Sequence, residues 1–203
     1  MNSQQADTHA KEISDESYHN EGSNLAEGFN RAEGSNPAKG SHRVVKAWHK
    51  LGHTAVGRKL FNFILGRIVP YSGNIKAEVL SLGDGKCSIA MKDRKAVRNH
   101  LKCIHAIALA NLGELASGIA MFSIVSNSTR AIVVDLEIKY IKKARGRLIA
   151  MGIANPPNII DSPITSIVSA EIKDASGDVV ATLRVDWLLS PPAEKVNLNK
   201  GSV

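Results

Sequence analysis

Glu114 is the one acidic residue in the run Ile104–Val125, which is otherwise apolar or small on nearly every face. That pattern predicts a buried core helix. An ionised carboxylate in such a place is costly unless it is paired, hydrated or put to use. Just upstream stand Asn99, His100 and His105, an amide and two imidazoles at the entrance to the helix. A carboxylate, a helix N-terminus and flanking His/Asn groups are the ingredients of acyl-transfer chemistry.

His105 and Glu114 are nine residues apart. On one helix that separation is about 180° of rotation and ~13 Å of rise. The two cannot form one site within one chain, whereas a two-fold dimer would supply the combination twice. No Cys/His/Asp set of convincing spacing joins His100 and His105, so no metal site is expected. His49 and His53 have helical i, i+4 spacing but lack the glutamate of a zinc-protease motif, and read as a polar helix face. Cys103 reads as a small buried side chain beside the helix start and not as a nucleophile.

The elements that must position these residues follow from periodicity. Residues 1–43 are rich in Ser, Asn, Gly, Glu and Ala and read as a disordered N-terminal tail. A helix is expected from Val44 to about Ile68, stopped by Pro70, with Val45, Trp48, Ala55, Val56, Leu60, Phe63 and Ile64 as its buried face. Ile75–Leu82 alternates like a strand, Gly83-Asp84-Gly85 makes a hairpin turn and Lys86–Met91 returns. After the long helix come strands at Ala131–Ile141, Arg147–Ala154, Ile164–Ile172 and Val179–Leu189. Pro191-Pro192 closes the domain, leaving 191–203 as a C-terminal tail. A helix apolar all round needs cover on most sides, and a curved antiparallel sheet wrapped around it provides that. The expected class is α+β: a hotdog fold with one long central helix and an extra N-terminal helix, spanning 44–190.

Charge is uneven along the chain. Residues 1–43 hold four Lys/Arg and seven Asp/Glu, net −3, whereas 44–203 carry +10. A basic body favours an anionic partner. Aromatics at 4% argue against stacking platforms for single-stranded nucleic acid, and no specific nucleic-acid partner is expected. No stretch reads as a membrane span or a signal peptide, and two cysteines make no disulfide framework, so the expected location is the cytoplasm.

With those residues in place, the chain resembles the PaaI-like hotdog acyl-CoA thioesterases over about residues 70–190, and more closely their uncharacterised DUF-type relatives. The pattern at the helix start is roughly Asn-His-x-Gly-x-x-His-Gly-Gly, with Asp or Glu a helical segment later. Asn99, His100, His105 and Glu114 fall on it. Lys102 stands where the pattern has its first glycine, and Ala106-Ile107 where it has the glycine pair. Val134–Tyr140 and Gly146–Ala150 resemble the following strands, and Val133 replaces a hydroxyl residue found in some members.

The resemblance implies a thioesterase active at a dimer interface, as a homodimer or dimer of dimers. No cofactor is implied beyond the coenzyme A of the substrate. In that setting the backbone N–H groups of Ala106 and Ile107 would hold the oxyanion, and Glu114 would activate water or attack directly. Asn99 would orient water or carbonyl, and His105 would shape the helix start. The run Lys142, Lys143 and Arg145 would meet the phosphates of coenzyme A. Arg94, Lys95, Arg98 and Lys102 form a second basic cluster beside the helix start. The alternative function is a non-catalytic hotdog that binds acyl-CoA or an acyl carrier.

Overall fold

The computed structural model describes residues 43–158 and 160–192. The expected tails at 1–43 and 191–203 lie outside these residues, except that Arg43 opens the first helix and Pro191 and Pro192 follow the last strand. The single helix expected from Val44 to Ile68 is instead two, α1 (Arg43–Leu51) and α2 (Ala55–Ile68). Thr54 causes the break. Its backbone is extended and its Oγ1 accepts the Gly57 N–H at 3.0 Å, an N-cap that starts a new helix. Pro70 does not end the chain's helical course either. It opens a one-turn helix, α3 (Pro70–Gly73), at a position where its missing N–H is not needed.

The buried face of α2 also departs from expectation. Val45 of α1 is buried and Trp48 packs against the core, but Ala55, Val56, Leu60, Phe63 and Ile64 are exposed. Gly57, Phe61 and Leu65 face inward instead, with Phe61 edge-on to Trp48 at 5.1 Å between ring centroids. Gly57 selects that face. A Cβ there would lie 2.0 Å from the Leu51 carbonyl oxygen, so only glycine lets the helix approach its own lead-in so closely. The helix is thus apolar on two sides and packs with one.

β1 (Glu78–Gly83) and β2 (Lys86–Met91) form the expected hairpin. Asp84 and Gly85 take φ of 49° and 74°, the left-handed pair that a two-residue turn of this kind requires. β1 starts at Glu78 and not at Ile75, because Lys76 sits at φ 50° and interrupts the extended backbone. Then come α4 (Ala106–Ile124), β3 (Arg130–Tyr140), β4 (Leu148–Ala154), β5 (Ile164–Lys173) and β6 (Val179–Ser190). The strands make one sheet in the order β1-β2-β4-β5-β6-β3, every neighbour antiparallel.

α4 is the core. Leu112, Ala116, Ala120 and Met121 are fully buried, and the helix touches every strand. It packs backbone to backbone on β4, where a Cβ on Gly152 would stand 2.5 Å from the Ala116 carbonyl oxygen. By length and composition α4 passes as a membrane span, contrary to the expectation that no stretch would. It is the one such helix among the described residues, and 67% of it is buried inside the protein. β3 lies at the edge of the sheet and exposes Ile132 and Val134. Six antiparallel strands wrapped on one long helix, with helices added before them, make this an α+β hotdog fold.

Candidate functional site

The entrance to α4 is built by local hydrogen bonds. The Asn99 side-chain carbonyl accepts the N–H groups of Leu101 (2.9 Å) and Cys103 (3.3 Å) and the Cys103 thiol (3.3 Å). Lys102 takes φ 56°, a left-handed conformation that costs a side-chain-bearing residue and suits glycine. Here the glycine of the resembled pattern has a physical reason, and this chain bears the strain without it. His105 follows in extended backbone. Its N–H donates to Val97 O at 2.8 Å, and its Nδ1 caps the helix by accepting the Ile107 N–H at 3.1 Å.

The cap changes what this end can offer. The Ile107 N–H, expected at an oxyanion, is engaged by the imidazole of His105. The Ala106 N–H has no partner among the described residues, while the Ala106 carbonyl accepts from Tyr140 Oη at 3.2 Å. Asn99 is likewise a scaffold for the 99–103 turn, its carbonyl oxygen occupied three times over. His100 and His105 are exposed.

Glu114 lies mid-helix and half-buried. Burial alone pushes its carboxyl above the ordinary range, and among the described residues no cation or hydrogen-bond donor meets the carboxylate. Its backbone is anchored. Ser117 Oγ donates to the Glu114 carbonyl at 2.8 Å and accepts from the Trp187 indole N–H at 3.2 Å, tying this turn of α4 to β6. Trp187 pairs across the sheet with Val133 of β3 and meets Phe122 edge-on at 5.9 Å between centroids. Asn111, one turn before Glu114, keeps its Oδ1 buried without a donor among the described residues. Between residues 109 and 123 of α4, Ala110, Asn111, Glu114 and Phe122 are half-buried and all others are buried. Nine residues of helix separate Glu114 from His105, ~13 Å of rise, so the structure does not join them in one chain.

Two basic clusters that are separate in sequence meet in space. Asp93 pairs with Arg98 Nε at 2.6 Å and accepts the Gly146 N–H at 2.9 Å, and the Ile104 N–H donates to Ala144 O at 2.9 Å. The loop carrying Arg94, Lys95 and Arg98 is thereby sewn to the loop carrying Lys143, Arg145 and Arg147, beside the start of α4. Arg98 holds the Asp93 carboxyl below the usual range. Lys142 is drawn the other way, to Asp174 (2.8 Å) and Asp178 (2.5 Å) in the β5–β6 turn. Lys143 and Arg145 remain exposed.

Ser117, Trp187 and Asn111 carried no signal in the sequence as site residues. Helical spacing sets Asn111 and Ser117 one turn either side of Glu114, but neither residue type flags a site, and only the packing brings the Trp187 indole, seventy residues beyond Ser117, to that turn. Cys87 is buried, which pushes its thiol pKa up and makes it inert. Among the described residues no group of three or more His, Cys, Asp or Glu side chains converges.

Comparison with known proteins gives the fold independently. A structural-genomics crystal structure matches with TM-score 0.62 and 20% identity, over 73% of this chain and 97% of that one. A thioesterase from Haemophilus influenzae matches with TM-score 0.57 and 10% identity, over 65% of this chain and 92% of that one. A point variant of a thioesterase from Staphylococcus aureus matches with TM-score 0.54 and 17% identity, over 60% and 99%. No curated protein sequence matches this chain. The family described as a domain of unknown function, DUF4442, matches residues 57–189, from α2 to the end of β6. The chain belongs to that family, as a hotdog protein whose central helix carries a carboxylate that is unpaired among the described residues.

Proposed function

We propose that this protein hydrolyses an acyl-CoA-type thioester at a site shared by two copies of the chain. The observation that carries this reading is Glu114, a half-buried carboxylate whose proton affinity is raised by burial and which no described residue pairs. Raised proton affinity makes such a group a stronger base than an exposed carboxylate. It takes a proton from water as the water oxygen adds to the thioester carbonyl carbon. The carbonyl oxygen becomes an oxyanion. The carbon–sulfur bond then breaks and the proton passes to the departing thiolate. Asn111 Oδ1, buried and without a donor among the described residues, accepts from that water. The Ala106 N–H of the partner copy, at a positive helix end, faces the oxyanion.

Fold neighbours that are thioesterases support the reading. In it, Lys143 and Arg145 meet the phosphates of coenzyme A, and Lys142 does not. The exposed edge strand β3 is where a second copy adds, giving a homodimer or a dimer of dimers. Two buried free cysteines fit a reducing cytoplasm.

A second reading, a non-catalytic binder of acyl-CoA or of an acyl carrier, is favoured by the entrance to α4. The Ile107 N–H is taken by His105, the Asn99 carbonyl is taken by its own turn, and Val133 brings no hydroxyl. Turnover across a panel of acyl-CoA thioesters, with binding measured alongside, separates the two. Hydrolysis that depends on Glu114 supports the first, and tight binding without turnover replaces it with the second. A fully active monomer in analytical ultracentrifugation would overturn the shared site.

A further inference from the structure

The outer face of α2 serves nothing described so far. Val56, Phe63 and Ile68 are 78%, 60% and 68% exposed, Tyr71 just beyond the helix is 69% exposed, and Leu60 and Ile64 lie between them. At 100° per residue, Val56, Leu60, Phe63 and Arg67 fall on one narrow stripe, which Ile64 and Ile68 widen on one side and Lys59 borders on the other. The Arg67 guanidinium lies over the Phe63 ring, 5.0 Å from its centroid. Inward, the same helix is already packed through Gly57, Phe61 and Leu65. A helix with a second, uncovered apolar face has a partner still to meet.

Charge says which partner. From Arg43 to Ala77 the chain has seven Lys/Arg and no Asp/Glu. Lys46, Lys50, Lys59 and Arg67 are exposed. A second copy docking this face on itself would bring like charges together. The chain's own residues 1–42 are acidic but hold few large apolar side chains, among them Leu25 and Phe29, too few for a stripe of six. A bilayer with anionic headgroups takes both features at once. Apolar side chains enter the acyl boundary while Lys and Arg meet phosphates.

We propose that the outer face of α2 docks this protein on an anionic phospholipid surface. The docking is peripheral: among the described residues the one helix long and apolar enough to span, α4, is largely buried inside the protein. It stands apart from the thioesterase reading, because none of its residues belongs to the Glu114 site.

The test is co-sedimentation of the full chain with vesicles of phosphatidylcholine and phosphatidylglycerol in equal parts, against vesicles of phosphatidylcholine alone. The full chain is expected to bind the mixed vesicles preferentially and to release as salt rises. Phe63→Ser with Ile68→Ser should cut the partition coefficient roughly tenfold or more with an unchanged melting temperature. Lys59→Gln with Arg67→Gln should remove the preference for the anionic lipid. If the Ser pair lowers melting, Val56→Ser alone takes its place. Failure of the full chain to bind the mixed vesicles overturns the proposal. So does undiminished binding by folded stripe variants, which would leave only non-specific charge. A wild-type oligomer that the Ser pair dissociates, with vesicle binding unchanged, would assign the face to a second copy instead.

Discussion

Glu114→Gln separates a base from a buried polar group, because it keeps shape and one hydrogen-bonding oxygen and removes the ionisation. The anchor survives, since Ser117 Oγ donates to the backbone carbonyl of residue 114 and not to its side chain. If Glu114 activates water, kcat falls by about 10²–10⁴, which is ~2.7–5.4 kcal/mol of lost transition-state stabilisation. Folding moves the other way. Burial raises the folded-state pKa of Glu114 above its unfolded value, so between the two values the folded protein holds the proton and the unfolded chain does not. Wild-type stability therefore falls as pH rises through that window, and the deficit is complete above it. Gln carries no such deficit. The variant should melt higher than wild type near neutral pH, with the gap closing as pH falls to the ordinary carboxylate range and absent below it. The assays are steady-state hydrolysis of acyl-CoA thioesters and thermal melting over a pH series. Full turnover in a folded Gln variant would refute the base. A melting gap of opposite sign, or one that ignores pH, would refute the burial argument behind it.

Lys102→Gly should raise stability by about 0.5–1 kcal/mol, the left-handed penalty relieved less the added freedom of glycine in the unfolded chain, and melting by ~1–4 °C; a lower melting temperature would contradict the strain assigned to the turn. His105→Ala removes a cap and should cost about 0.5–2 kcal/mol in thermal or urea unfolding. It should leave kcat within an order of magnitude, whereas a loss of ~10² or more would give the imidazole a part in the chemistry. Lys143→Gln with Arg145→Gln should weaken acyl-CoA binding more than binding of a short pantetheine thioester, and flatten its salt dependence; equal losses would assign both cations to the turn. Lys142→Gln should leave both affinities alone and instead lower stability at neutral pH. That effect fades as pH falls through the depressed pKa of Asp174, since the pairing exists only while Asp174 is ionised.

The strands and α4 were legible because each rests on a local chemical rule. Asp84-Gly85 can hardly be anything but a tight turn, and nineteen residues with one charge must lie inside. The helices before them were not, and the reason is specific. Periodicity finds apolar residues but does not say which of two apolar faces is used, and on α2 the choice fell to Gly57, whose missing side chain permits close approach. Thr54 and Pro70 are start signals that also occur after helices, so only their hydrogen bonds decide. The site shows the same division. Glu114 stood out as a charge in an apolar run, whereas the cap by His105 Nδ1, the pairing of Lys142 and the Ser117–Trp187 link are side-chain choices made across the fold.

The layout of charge along α4 bears on whether Glu114 can act at all. A cation near a carboxylate favours ionisation and weakens it as a base. Yet a ligand with phosphates needs cations. This chain keeps the two demands apart by the length of the helix. Arg98, Lys143 and Arg145 gather at the loops beside the start of α4, whereas Glu114 lies nine residues beyond His105, where among the described residues desolvation is the one influence on its proton. The basic end can hold an anion without lowering the proton affinity of the carboxylate in the same chain. The cost is that no single chain presents both to one substrate carbonyl. In the proposed shared site, a second copy set on the exposed edge of β3 would remove that cost by lending the entrance of its own α4.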